Sequence, residues 1–174
     1  HDPGGDRRRE RRRSRARPYT GDGNRDIEFR GKAITVRSEA GPQTCVIDAQ
    51  GSWTEWRRGF HFHEGEKGDS ILDGFTITGG IQFVHSGGGI ACTRSSPTIR
   101  NCIIVGNAAP SSGGVGLGDS SAVISNCIIA GNRTLSLAGS TEYGGGLVCG
   151  GDGHVVLRNC TIYANRARRG GGVM

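Results

Sequence analysis

The residues of this 174-residue chain whose types suit metal, redox or acid–base chemistry are six cysteines, five histidines and a scatter of aspartates. The cysteines (Cys45, Cys92, Cys102, Cys127, Cys149, Cys160) include no Cys-x-x-Cys pair, which argues against a zinc site of the usual spacing. His61-x-His63 puts two imidazoles on one side of an extended strand, while His85 and His154 fall in loops; a plain strand-edge role is preferred, and no metal site or cofactor is assigned. Glycosidic-bond hydrolysis uses carboxylates in pairs. Asp69, Asp73, Asp119 and Asp152 are available, but all except Asp73 lie in Gly/Ser-rich turns, where aspartate is common for turn reasons alone. The candidate ligand-binding set is Trp53, Trp56, Asp73, Arg100, Arg158 and Tyr163: aromatics that stack on sugar rings, and arginines that pair with uronate or sulfate groups. No catalytic residue is assigned.

What must position these residues is a repeat. Thr98–Asn107 (TIRNCIIVGN) returns as Val123–Asn132 (VISNCIIAGN) and Val156–Asn165 (VLRNCTIYAN), with a looser copy at Ile71–Gly80 (ILDGFTITGG). A glycine pair or triplet followed by an aliphatic residue travels with it, at Gly87–Ile90, Gly113–Val115, Gly144–Leu147 and Gly170–Val173. The spacing from Asn101 to Asn126 is 25 residues, and from Asn126 to Asn159 it is 33. The longer interval is an insertion before Tyr143, at Leu135–Glu142. Self-similarity at such periods marks a solenoid. Within each copy the pattern alternates with period two, as in strands. The expected inward columns are Phe60/Ile90/Val115/Leu147/Val173, Phe62/Cys92/Leu117/Cys149, Leu72/Ile99/Ile124/Leu157, Phe75/Cys102/Cys127/Cys160 and Ile77/Ile104/Ile129/Ile162. Asp73/Arg100/Ser125/Arg158 and Thr76/Ile103/Ile128/Thr161 face outward, and Gly74/Asn101/Asn126/Asn159 occupy one left-handed bend.

Three short strands and their turns in about 25 residues make one coil of a parallel β-helix, with rungs stacked about 4.8 Å apart. Ile27–Phe29, Ala33–Val36 and Cys45–Ile47 are the expected strands of the opening coil, and Gln50–Arg58 a surface loop. On that stacking Cys102, Cys127 and Cys160 point alike rather than at one another, so they are read as buried core filling in preference to a disulfide framework. Trp53 and Trp56 have an alternative role, capping the first coils.

Composition agrees. There are 32 glycines without a collagen period, and aromatics are only 6%. The net charge of +6 is misleading, because residues 1–18 carry eight arginines against Asp2, Asp6 and Glu10. That stretch is expected to be a disordered, solvated tail or a segment foreign to the domain, and nucleic-acid binding through it is not favoured. Residues 19–174 form the β-helix domain of about five to six coils. Its strand pattern stops abruptly at Val173-Met174, so the solenoid is expected to be truncated, with further coils of the same polypeptide as its natural neighbours.

The chain resembles the right-handed parallel β-helix (pectin-lyase-like) family. The similarity lies in Gly23–Ile27, Gly31–Ser38 and Ile71–Ile77, which are like the first coils of modules in bacterial secreted and surface proteins. The pairing of Gly-Gly-x-aliphatic with aliphatic-x-x-Asn resembles the repeats of polymorphic outer-membrane proteins. The resemblance implies hydrogen-bonded asparagine ladders at Asn101/Asn126/Asn159 and at Asn107/Asn132/Asn165. It also implies a secreted or cell-surface location, and a polysaccharide or surface glycan as partner. Lyases of the family need clustered acidic calcium ligands near a basic residue, and the column Asp73/Arg100/Ser125/Arg158 supplies one carboxylate only. The Asn-Thr-Asp and Gly-His-Gly motifs of polygalacturonases are missing. The preferred expectation is therefore a non-catalytic module for adhesion, glycan contact or spacing. The alternative is a fragment of a polysaccharide lyase or glycoside hydrolase, with its site outside this segment or around Asp73/Arg100.

Overall fold

The computed structural model describes residues 18–137, 139 and 142–174; most of the arginine-rich stretch, residues 1–17, lies outside them. The opening coil contains β1 (Thr35–Arg37) and β2 (Val46–Asp48). The next runs through β3 (Phe60–Phe62), β4 (Ile71–Asp73) and β5 (Thr76–Thr78), and the third through β6 (Ile90–Thr93), β7 (Thr98–Arg100), β8 (Ile103–Val105) and β9 (Ala108–Ala109). The fourth holds β10 (Val115–Gly118), β11 (Val123–Ser125), β12 (Ile128–Ala130) and β13 (Arg133–Thr134). The fifth holds β14 (Leu147–Gly150), β15 (Val156–Arg158) and β16 (Thr161–Tyr163).

Equivalent strands of successive coils stack in parallel. The first sheet has the order β3-β6-β10-β14, the second β1-β4-β7-β11-β15 and the third β2-β5-β8-β12-β16. The sequence repeat is thus the vertical register of a solenoid: Leu72, Ile99, Ile124 and Leu157 fall in line, as do Ile77, Ile104, Ile129 and Ile162. Leu72, Ile77, Ile99, Ile104, Ile124 and Ile129 are completely buried, while their outward neighbours, apart from Asp73 and Ala130, are partly or fully exposed. The first coils are packed by aromatics, with Phe29 edge-on to Phe62 at 4.9 Å between ring centroids.

Two details differ from the sequence-based expectation. Ile27–Phe29 forms a single parallel bridge, Ile27 to Phe60, rather than a strand, because Asp26 and Arg30 on either side take left-handed backbone (φ 48° and 55°). The coils also carry a fourth short sheet, β9 on β13, extended by bridges from Ile81 to Ala108 and from Arg133 to Arg166. It forms because Asn107 and Asn132 fix the preceding corner. Asn107 Nδ2 donates to Asn132 Oδ1 at 3.0 Å, Asn132 Nδ2 to Asn165 Oδ1 at 3.0 Å, and the backbone N–H groups of Asn107 and Asn132 donate to the same two oxygens. The following residues therefore arrive in register.

The glycine pairs and triplets serve this corner by close approach. A Cβ on Gly88 would lie 2.4 Å from the Ala108 carbonyl oxygen, on Gly113 2.3 Å from that of Arg133, and on Gly145 2.4 Å from that of Arg166. At the other corner Gly74, Asn101, Asn126 and Asn159 all have positive φ (84°, 54°, 52° and 49°), the bend that glycine and asparagine tolerate best. All six cysteines are free thiols; Cys92, Cys102 and Cys127 are buried, and Cys45, Cys149 and Cys160 half-buried. Cys45 precedes β2 and stacks below Phe75, joining the column that continues through Cys102, Cys127 and Cys160.

Candidate functional site

Alternation along the first sheet decides which side chains leave the core. Phe60 and Phe62 point in, so His61 and His63 point out. His61 is in register with Ala91, Gly116 and Val148 on the next three rungs, and Thr93 with Gly118 and Gly150. The outer face therefore has imidazoles at one end, and beyond them Ala91 with Thr93, then two glycines, then Val148 with Gly150. This profile opens a groove of about 440 Å³, flanked by Arg58, His61, His63, His85, Ser86 and Arg94. Among the described residues no carboxylate lines it.

The groove's polar groups differ in burial and in how far they are paired. Ser86 Oγ is shut off from water and has no hydrogen-bond partner among the described residues. A buried hydroxyl left unpaired costs stability. Burial, with Arg58 and His63 adding to it against Glu28, pushes the His61 imidazole down to about 4, so it is a neutral ring at neutral pH. Arg58 is only 5% exposed, and its backbone N–H donates to Asp26 Oδ1 at 3.1 Å. At the rim Glu28 Oε1 lies 3.1 Å from His63 Nε2.

The residues singled out from the sequence occupy three separate places. Asp73 is buried (7% exposed) and fully engaged: its Oδ2 accepts from Arg100 Nε and from a terminal Arg100 nitrogen, each at 3.0 Å, and its Oδ1 accepts from Asn101 Nδ2 at 2.7 Å. Arg37 lies on the rung below in the same column, and Arg158 on the far side of Ser125. Tyr163 is exposed on the third sheet, in register with Ala130, rather than beside the Arg100/Arg158 column of the second. Trp53 and Trp56 are exposed in their loop and lean on Phe83, at 4.9 and 5.6 Å between centroids. That loop is tied to the next coil by an antiparallel bridge between Arg57 and Ile81. The aromatic patch thus adjoins the groove along the chain: Trp56 is two residues from Arg58, and Phe83 two residues from His85.

Sequence reasoning had no reason to group Arg58, His85, Ser86 and Arg94, because each sits outside the repeated phrases. The one available signal was the outward column itself. Once His61 is aligned with Ala91 and Gly116, the loss of side-chain bulk from rung to rung is visible in the sequence.

Stacked parallel coils of this kind define the parallel β-helix, one of the solenoid architectures. Residues 56–174 match the family model described as the right-handed β-helix region, and the chain belongs to that family. Neither a curated protein nor a solved structure matches the chain.

Proposed function

We propose that this chain is a non-catalytic β-helix module of a secreted or surface protein, and that it holds a stretch of acidic polysaccharide along the first sheet. The observation that carries this is the groove: a floor of Ala91, Thr93, Gly116, Gly118, Val148 and Gly150, with Arg58, Arg94 and three histidines at its edges and, among the described residues, no carboxylate in its lining. An extended chain of sugars suits a floor that repeats along the stack, and arginine pairs with uronate or sulfate oxygens through charge-assisted hydrogen bonds. Trp53 and Trp56 add a stacking surface where the groove's flanking segments emerge. The hydrolase or lyase alternative draws no support from Asp73, whose carboxylate is already spent on Arg100 and Asn101 with no second carboxylate in its column.

The test compares oligogalacturonate with neutral cello-oligosaccharide by calorimetry. The acidic oligomer is expected to bind, more weakly as salt rises. A Cβ on Gly118 meets nothing within 4 Å, so Gly118→Phe should fill the groove without straining the coil, and should abolish binding. Arg94 sits in a left-handed bend (φ 50°), so Arg94→Asn removes the charge while keeping a residue that tolerates the backbone. It should weaken binding about tenfold, the worth of one charged hydrogen bond. Equal affinity for both oligomers, or binding indifferent to Gly118→Phe, would sink the proposal. Release of reducing or unsaturated ends would establish the enzymatic alternative.

A further inference from the structure

The rim of the groove holds a second arrangement that polysaccharide contact does not need. Ile27 bridges Phe60 in parallel, and His61 N–H donates to the Ile27 carbonyl at 2.9 Å. Phe29 and Phe62 point into the core, so Glu28 is carried outward on the rung beside His61 and His63. One ligand atom from each of Glu28, His61 and His63 lies within 4.8 Å of the other two. Glu28 Oε1 and His63 Nε2 are 3.1 Å apart, and the two imidazoles stack at 4.1 Å with planes 21° from parallel. The hydrogen bond to Glu28 accounts for His63; it does not account for a second imidazole laid over the first.

The spacing is that of a coordination shell slightly open. Bonds of about 2.0–2.2 Å in a tetrahedral shell separate neighbouring donor atoms by about 3.3–3.5 Å, so small side-chain rotations bring all three donors onto one ion. Two imidazole nitrogens and one carboxylate suit a borderline cation such as zinc, whereas calcium and magnesium prefer oxygen throughout. We propose that Glu28, His61 and His63 form a three-ligand site for a zinc-class divalent cation at the head of the groove, with its remaining position open to an oxygen donor lying there. The site supplies a single carboxylate and has Arg58 nearby, which favours an anionic donor in that open position. This proposal stands whether or not the groove ligand is a polysaccharide.

The test is calorimetric titration of the full chain with zinc chloride near neutral pH, alongside cobalt(II) substitution read by visible absorption. One equivalent should bind, with the cobalt spectrum of a low-coordinate nitrogen and oxygen site. Binding should be lost in His63→Ala and in Glu28→Gln, and retained in His154→Ala, whose ring lies elsewhere on the chain. Circular dichroism establishes that each variant is folded. If His63→Ala fails to fold, Glu28→Gln decides alone, because Glu28 is exposed and its amide replacement leaves the coil intact. The proposal is overturned by an absence of binding, by zinc affinity unchanged in Glu28→Gln, or by thiolate-to-cobalt charge-transfer bands showing that cysteines hold the metal.

Discussion

Glu66 is a carboxylate almost without water, 2% exposed, in the loop that joins β3 to β4 within the second coil. Its Oε1 accepts the Gly31 N–H at 3.0 Å, and its Oε2 accepts the Glu64 N–H at 3.0 Å and the Ser95 hydroxyl at 2.9 Å. Burial alone would raise its pKa, but these hydrogen bonds, with that from Gly31 first, outweigh it and hold the carboxyl below its ordinary value. A carboxyl with a depressed folded-state pKa binds fewer protons folded than unfolded. The stabilisation is complete above the unfolded value of about 4.3 and fades as pH falls through the lower folded one. Glu66→Gln turns an amide N–H toward groups that donate, leaving a buried donor unpaired, and should cost about 1–3 kcal/mol at neutral pH. Urea midpoints at neutral and acidic pH check this: the wild-type protein should lose more stability on acidification than the variant, so that the two converge. A constant gap between them at every pH would refute the assignment.

The two asparagine columns look alike in sequence and do different work in the elements they flank. Asn107 and Asn132 are 1% exposed, and each amide satisfies backbone groups of neighbouring coils; Gly80 N–H, for example, donates to Asn107 Oδ1 at 2.9 Å. Asn101, Asn126 and Asn159 are exposed bends. Asn126 contributes one outward hydrogen bond, from its Nδ2 to Asn101 Oδ1 at 3.3 Å, and its conformation is one that glycine adopts freely. Asn132→Ala strips acceptors from the Asn107 N–H and side chain, and should destabilise the protein by about 2–3 kcal/mol. Asn126→Gly should stay within about 0.5 kcal/mol, as surface changes away from special features do. Denaturant unfolding with unchanged slope measures both; equal costs would show that the buried ladder adds nothing beyond the bend.

Along the whole stack, protection of the core is uneven. The Phe29/Phe60/Phe62/Phe75 cluster and the next rungs are closed, whereas β15 is exposed throughout and Leu157 is 38% exposed. The cysteines sample this gradient. Burial raises the pKa of Cys92, and a hydrogen bond to Cys102 together with burial raises that of Cys127, so both stay as unreactive thiols. Cys45 is pulled down, chiefly by its hydrogen bond to Ser38. Brief alkylation of the native protein should therefore label Cys45, Cys149 and Cys160 well before Cys92, Cys102 and Cys127, while denaturant releases all six together. Peptide mass spectrometry reads the order directly, and early labelling of Cys127 would contradict the stack.

By itself the sequence determined the solenoid. Its repeat fixed the coil length, its alternation fixed which of Ile103 and Ile104 is buried, and Gly74, Asn101, Asn126 and Asn159 fixed a common bend, because stacked coils repeat local geometry and local geometry is written in nearby residues. Residues 56–174 carry that pattern strongly enough to define the family. The groove was decided only by tertiary structure. Arg58, His85 and Arg94 reach one face from three unrepeated segments. Glu28 meets His63 across 35 residues of chain. Asp73, which stands out in the sequence as a free carboxylate, is neutralised by Arg100 on the next rung. Which residues face one another across coils depends on the lengths of the intervening loops, and no periodicity within a coil encodes those.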